Sequence, residues 1–163
     1  PLYVYEESVL RSQFRQLSSG FPEGLLEIHY SMKANSNPSL LKILREEGSS
    51  IDAVSEFEVR LALESGFEPQ QIIFTGNNNT LAEIEYCVEQ EVSVNLGSLV
   101  LLEKFGQRFP HTSVSVRINP GIGAGHHAHC ITGGPDSKSG IYHDQIDVAC
   151  KCNIDLIVIN PKF

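Results

Sequence analysis

Short apolar segments recur about every 20 residues along this 163-residue chain, and each is followed by a stretch with helical periodicity. The segments fall at 27–33 (EIHYSMK), 51–54, 71–75, 92–96 and 113–119 (SVSVRIN), with a last one at 154–159 (IDLIVI). Helical stretches occupy 7–17, 38–47, the run from Ser55 to Gly66, 81–90, 98–109 and 143–152. Strands separated by helices have room for crossovers, so they pair in parallel. Two architectures fit: an open doubly wound sheet, or a (β/α) barrel. A barrel needs eight strands and about 250 residues. This chain offers six strands, so a barrel here is a partial one.

The helix boundaries carry their own chemistry. Asn37 is placed to cap the helix that begins at Pro38, and Gly48 lies just past its end. Ser55 with Glu58, and Thr80 with Glu83, have the spacing of capping boxes. The segment 1–5 (PLYVY) reads as a strand outside this rhythm.

Charge and composition narrow the class. Twelve Lys and Arg stand against 20 Asp and Glu, a net charge of −8, with no basic face for nucleic acid. At 41% apolar residues the chain is globular. No apolar run has the roughly 20 residues that a membrane-spanning helix requires. No signal peptide opens the sequence, and a cytoplasmic protein is expected. Cys87, Cys130, Cys150 and Cys152 are unevenly spaced and read as reduced thiols.

Sites in parallel βα folds collect at the carboxyl ends of the strands. Those ends carry Lys33-Ala34-Asn35, Asp52 with Ser55 and Glu58, Gly76-Asn77-Asn78-Asn79, Asn95, and Arg117 with Asn119-Pro120-Gly121. Period-two alternation places His29, Ser31 and Lys33 on one face of the first strand, opposite Ile28, Tyr30 and Met32. The apolar face should meet helices, and the polar face should line a lumen or cleft. A lysine there suits an amine that forms an imine with an aldehyde such as pyridoxal phosphate. The competing reading is a lysine that emerges into solvent. Asp52 and Glu58 are candidate charge partners, with Glu58 equally explained by its capping box. Arg117 is in phase with Ser113 and Ser115 and suits an anion or a structural ion pair. The loop 121–125 (GIGAG) departs from the dinucleotide fingerprint, because its third glycine comes one residue early. His126, His127, His129 and Cys130 are spaced too tightly for one tetrahedral metal site. They read as a polar loop over a pocket.

Taken in order, these motifs resemble one family. Tyr30-Ser31-Met32-Lys33-Ala34-Asn35 is similar to the Y-x-x-K-A-N strand end of the fold-type III pyridoxal-phosphate decarboxylases, which include diaminopimelate, ornithine and arginine decarboxylases. The segments 51–55 (IDAVS), 62–67 (ALESGF), 71–78 (QIIFTGNN) and 116–121 (VRINPG) follow the family pattern in sequence. The stretch from Gly125 through Thr132-Gly133-Gly134 to Ser137-Lys138 resembles the loop of the diaminopimelate enzymes. The resemblance runs over essentially the whole chain.

It implies a partial (β/α)8 barrel of the alanine racemase/decarboxylase type, about six of eight strands, over residues 6–163. Residues 1–5 would be a strand of a separate C-terminal β domain. It implies pyridoxal 5'-phosphate as cofactor, with Lys33 as the imine-forming lysine. Asp52, Glu58 and Arg117 would lie around the cofactor, and Lys138 at the interface of a homodimer. The expected reaction is conversion of meso-2,6-diaminopimelate to L-lysine and CO2. The alternatives are another substrate of the class (ornithine, arginine or carboxynorspermidine) and a non-catalytic barrel homologue. Ser139 departs from the family phenylalanine, and the family's H-x-G-S-G histidine, glycine-rich phosphate loop and ring-nitrogen acid are not in the sequence. The 163 residues by themselves are therefore expected to be inactive.

Overall fold

The computed structural model describes residues 2–123, 133, 134, 137, 139–152 and 154–159. His126, His127, His129, Cys130 and Lys138 lie outside the described residues. The chain alternates α1 (Glu7–Ser18), β1 (His29–Ser31), α2 (Pro38–Glu46), β2 (Ser50–Ala53), α3 (Glu56–Glu64), β3 (Ile72–Phe74), α4 (Leu81–Glu89), β4 (Ser93–Leu96), α5 (Leu99–Arg108) and β5 (Ser113–Asn119). Then come β6 (Ile141–Tyr142), α6 (Ile146–Ala149) and β7 (Asp155–Ile159).

Every strand pairing is parallel, and the order β1-β2-β3-β4-β5 follows the chain. Ser115 and Val116 pair both with β4 and with β7, so β7 takes the second edge of β5 and continues the sequence order. A doubly wound sheet reverses its strand order partway, because its helices must reach both faces. Here the order never reverses, and right-handed crossovers then put all helices on one face. The packing agrees. Ile51, Ala53, Ile72, Phe74, Val94, Leu96, Val114 and Val116 join Leu41, Val59, Ala62, Ile84, Cys87, Leu102 and Phe105 from the helices in one buried cluster. The alternate strand residues Ser31, Asp52, Ile73, Asn95, Ser115 and Arg117 face the other way. A helix-free face that is mostly polar is the lining of a barrel, so of the two architectures the sequence left open, the barrel is observed.

Local signals explain most elements. The Asn37 side chain accepts from the Ser39 N–H at 2.9 Å, and Pro38 opens α2. Thr80 and Glu83 form the reciprocal box at the start of α4. Other expectations need correction. The first strand covers only His29–Ser31, not 27–33, because Met32–Ala34 is a 3₁₀ turn that carries Met32 into the core at 1% exposure. The two-residue strand β6 lies inside what reads as a loop. The expected helix over 143–152 is a 3₁₀ turn (His143–Gln145) followed by the short α6. Ahead of α1, and apart from these corrections, residues 2–5 pair with no strand among the described residues, and Leu2, Tyr3, Val4 and Tyr5 are exposed.

α1 buries none of its residues. It is tied to α2 by charge: Glu47 receives Arg11 at 2.8 Å and Arg15 at 2.6 Å, and Arg11 also reaches Glu7 at 2.7 Å and Glu46 at 2.5 Å. Cys87, Cys150 and Cys152 are free thiols. Burial pushes the Cys87 thiol up to about 12, so it serves as a small apolar core residue.

Candidate active site at the carboxyl edge of the sheet

Parallel pairing gathers all the strand carboxyl ends at one edge. Lys33 stands there in the 3₁₀ turn after β1. Its place is fixed from both sides: Met32 is buried before it, and the Tyr30 hydroxyl donates across the turn to the Asn35 carbonyl at 3.0 Å. Burial pushes the Tyr30 phenol above its ordinary value, which keeps it a donor. The Lys33 side chain is exposed and makes no hydrogen bond or ion pair among the described residues. The partner expected for it from the strand pattern is not found, because the strand ends two residues earlier and alternation no longer aims the side chain.

Asp52 is half-buried on β2, in register with Ser31 on one side and Ile73 on the other. Glu58 is drawn into the turn that leaves β2. Its Oε2 accepts from the Val54 N–H at 2.7 Å, while the Ser55 hydroxyl accepts from the Glu58 N–H at 3.2 Å. The expected capping box is thus displaced by one residue on its return arm. Arg117 is half-buried near the carboxyl end of β5 and makes no hydrogen bond or ion pair among the described residues. A half-buried guanidinium is costly without an acceptor, so this one suits an anionic group.

Two further features complete the edge. Ser31 Oγ and Asn95 Oδ1 are buried and have no hydrogen-bond partner among the described residues. Both face the side away from the helices, and buried polar atoms left open in this way mark a place for a donor from outside the chain. Gly97 and Gly140 meet beside Arg117: a Cβ on Gly97 would stand 3.3 Å from the Gly140 nitrogen and 3.7 Å from the Arg117 Cβ. Sequence spacing puts Ser31 on the lining face and Asn95 at a strand end, but a buried acceptor is recognised only once its neighbours are known. The two glycines are silent in the sequence.

Fold and edge together define a barrel domain that presents, among the described residues, an accessible lysine, an arginine with no partner and buried polar atoms with none at the strand ends. The chain belongs to the family of pyridoxal-dependent decarboxylases, matching their pyridoxal-binding domain over residues 7–158. It is 39% identical over 159 residues to a diaminopimelate decarboxylase of Methanothermobacter thermautotrophicus, covering 96% of this chain and 37% of that protein. A diaminopimelate decarboxylase of Streptomyces coelicolor is 36% identical over 151 residues, covering 90% of this chain and 33% of that protein. The crystal structure of diaminopimelate decarboxylase from Helicobacter pylori complexed with L-lysine superposes with a TM-score of 0.87 at 29% identity, over 98% of this chain and 43% of that one. The fold is therefore a partial barrel of the decarboxylase type, and the chain spans about a third of the length of the curated relatives it matches.

The residues present fit pyridoxal phosphate. An aldehyde needs a reachable amine, which Lys33 offers, and an anionic polar ring compound needs the donors and acceptors left open at Arg117, Ser31 and Asn95. Among the described residues no three His, Cys, Asp or Glu side chains converge as a metal site, and no helix is long and apolar enough to cross a membrane.

Proposed function

We infer that the whole protein is a pyridoxal-phosphate-dependent decarboxylase that converts meso-2,6-diaminopimelate to L-lysine and CO2. The carrying observation is Lys33, an exposed amine on a fixed turn at the carboxyl edge, in a domain of the pyridoxal-binding family. Decarboxylation breaks the bond between Cα and the carboxylate and leaves its electron pair on carbon. The cofactor, when bound, supplies the sink for that pair. Lys33 presents the amine that fastens the cofactor aldehyde. Arg117 offers its guanidinium to an anionic group, and Asp52 provides a carboxylate on the lining one strand from Ser31. Glu58 holds the turn between β2 and α3 through the Val54 N–H and so keeps this wall in place.

The inference extends to a homodimer and to a second, β-rich domain that takes up residues 1–5. The exposed apolar side chains of Leu2, Tyr3, Val4 and Tyr5 support the second domain. Phe57, Val100 and Ile122, exposed at or just after the strand carboxyl ends, support a covering partner there. Lys138 is assigned to that interface on the family resemblance, and Lys138→Ala should weaken dimer and activity together in sedimentation and rate measurements.

The test is to supply the full-length protein and pyridoxal phosphate with diaminopimelate, and to measure CO2 and lysine. Equal amounts of both are expected. Release from ornithine or arginine alone would reassign the substrate, and no release from any of them would reject the enzymatic reading.

A further inference from the structure

Asn119 ends β5, two residues beyond Arg117, and is 1% exposed. Its side-chain amide uses both ends. Oδ1 accepts from the Gly121 N–H at 2.9 Å and from the Gly134 N–H at 3.0 Å, while Nδ2 donates to the Gly134 carbonyl at 3.1 Å. The side chain therefore pairs with Gly134 as one peptide group pairs with another. The Gly134 carbonyl also accepts from the Ser137 N–H at 3.1 Å, and Ser137 continues the chain of contacts. Its hydroxyl accepts from the Ser139 N–H at 3.2 Å, and its carbonyl accepts from the Tyr142 hydroxyl at 3.3 Å. Ser139 is buried. Tyr142 returns to β5 and pairs with Asn119 itself.

The circuit closes against the Arg117 backbone. Gly140 sits at φ +89°, and a Cβ there would stand 2.9 Å from the Asn119 nitrogen and 3.1 Å from the Arg117 carbonyl. One side chain thus holds Gly134, and β6 holds Tyr142 with Ser137 bonded to it. Nothing about Asn119 suggests direct chemistry, because all its polar atoms are occupied within the protein.

We propose that Asn119 is a positioning residue: its buried amide, closed on Gly121 and on both backbone groups of Gly134, sets where Gly134, Ser137 and Gly140 stand relative to Arg117. The kinetic part of this inference rests on the decarboxylase reading, and the structural part does not.

The experiment uses the full-length protein as parent, Asn119→Asp and Asn119→Leu. Two quantities are compared at each pH: amide exchange at Gly121 and Gly134, and KM and kcat with diaminopimelate. Ionised aspartate sets a second oxygen against the Gly134 carbonyl, where the amide nitrogen donates at 3.1 Å, and the repulsion draws the carboxylate off the Gly121 and Gly134 N–H groups. Protonated aspartate restores one acceptor and one donor, the pattern of the amide, and burial raises the pH at which it protonates. Near neutral pH, Asn119→Asp should lose protection at both glycines and raise KM roughly tenfold, with kcat changing much less. At about pH 5, ratios to parent should return towards one. Asn119→Leu should stay impaired at every pH, and if it fails to fold, the acid rescue of Asn119→Asp decides alone. Unchanged exchange overturns the clamp. Lost protection with unchanged KM overturns the positioning role. If the parent releases no CO2 from diaminopimelate, the substrate reading fails separately. The dissociation constant of pyridoxal phosphate, read by its absorbance, then takes the place of KM with the same two outcomes.

Discussion

A lysine can serve as an anchoring amine only where its nitrogen is reachable and its backbone is held. Lys33 meets both conditions through Met32 and the Tyr30–Asn35 hydrogen bond. Borohydride reduction of the full-length protein with its cofactor, followed by peptide mapping, should leave the pyridoxyl group on Lys33. A label on Lys42, Lys104 or Lys138 instead would sink the assignment. A second residue prediction concerns Gly140. A side chain there is strained at φ +89° and crowds the Asn119 nitrogen at 2.9 Å, so Gly140→Ala should cost roughly 1–3 kcal/mol in denaturant unfolding. Lys33 and Arg117 were legible in the sequence because strand ends and period-two phase point to them. The same signals place Ser31 on the lining and Asn95 at a strand end, but that both are buried acceptors, and that Gly97 meets Gly140, depends on which segments meet in space.

Elements were legible where their signals are local. The caps at Asn37 and Thr80 form as their spacing implies, and Ser55 caps α3 with the return arm of its box shifted to Val54. β6 has two residues, too few to show any period. α6 is cut short because the run over 143–152 offers little to bury: of its four helical residues only Ala149 is buried, and Val148 is 54% exposed. The attachment of α1 is an electrostatic matter and gives a pH prediction. Arg15 and Arg11 hold the Glu47 carboxyl down from 4.5 to about 2. A carboxylate lowered on folding adds stability above its unfolded value and loses it as pH falls through the folded one. Amide protection of α1 in the full-length protein should therefore fall between pH 4.5 and about 2. In Glu47→Gln that protection should already be reduced at neutral pH. An α1 equally protected in both proteins across this range would show that apolar contacts, not Glu47, hold the helix.

At the scale of the molecule, one buried layer between strands and helices carries the packing. Phe74 and Phe105 are both fully buried in it. Phe74→Ala should cost about 3–5 kcal/mol in the full-length protein, read from the denaturant midpoint, because close-packed surroundings relax only partly into the void. A loss below about 1 kcal/mol would mean that the layer is loosely packed. The class of sheet was readable from the alternation of segments. The choice between barrel and open sheet came from the family resemblance and not from periodicity, because it turns on strand order, which no single segment encodes.

The division of each strand into a helix-facing set and a lining set has an evolutionary consequence. Ile51, Ile72, Val94 and Val116 answer to packing, while Ser31, Ile73, Asn95 and Ser115 stand on the opposite side of the same backbone. Changes in the second set leave the first untouched, so selection can trade one chemistry for another along the lining without first rebuilding the scaffold. Innovation and robustness are then written on alternate letters of the same short words.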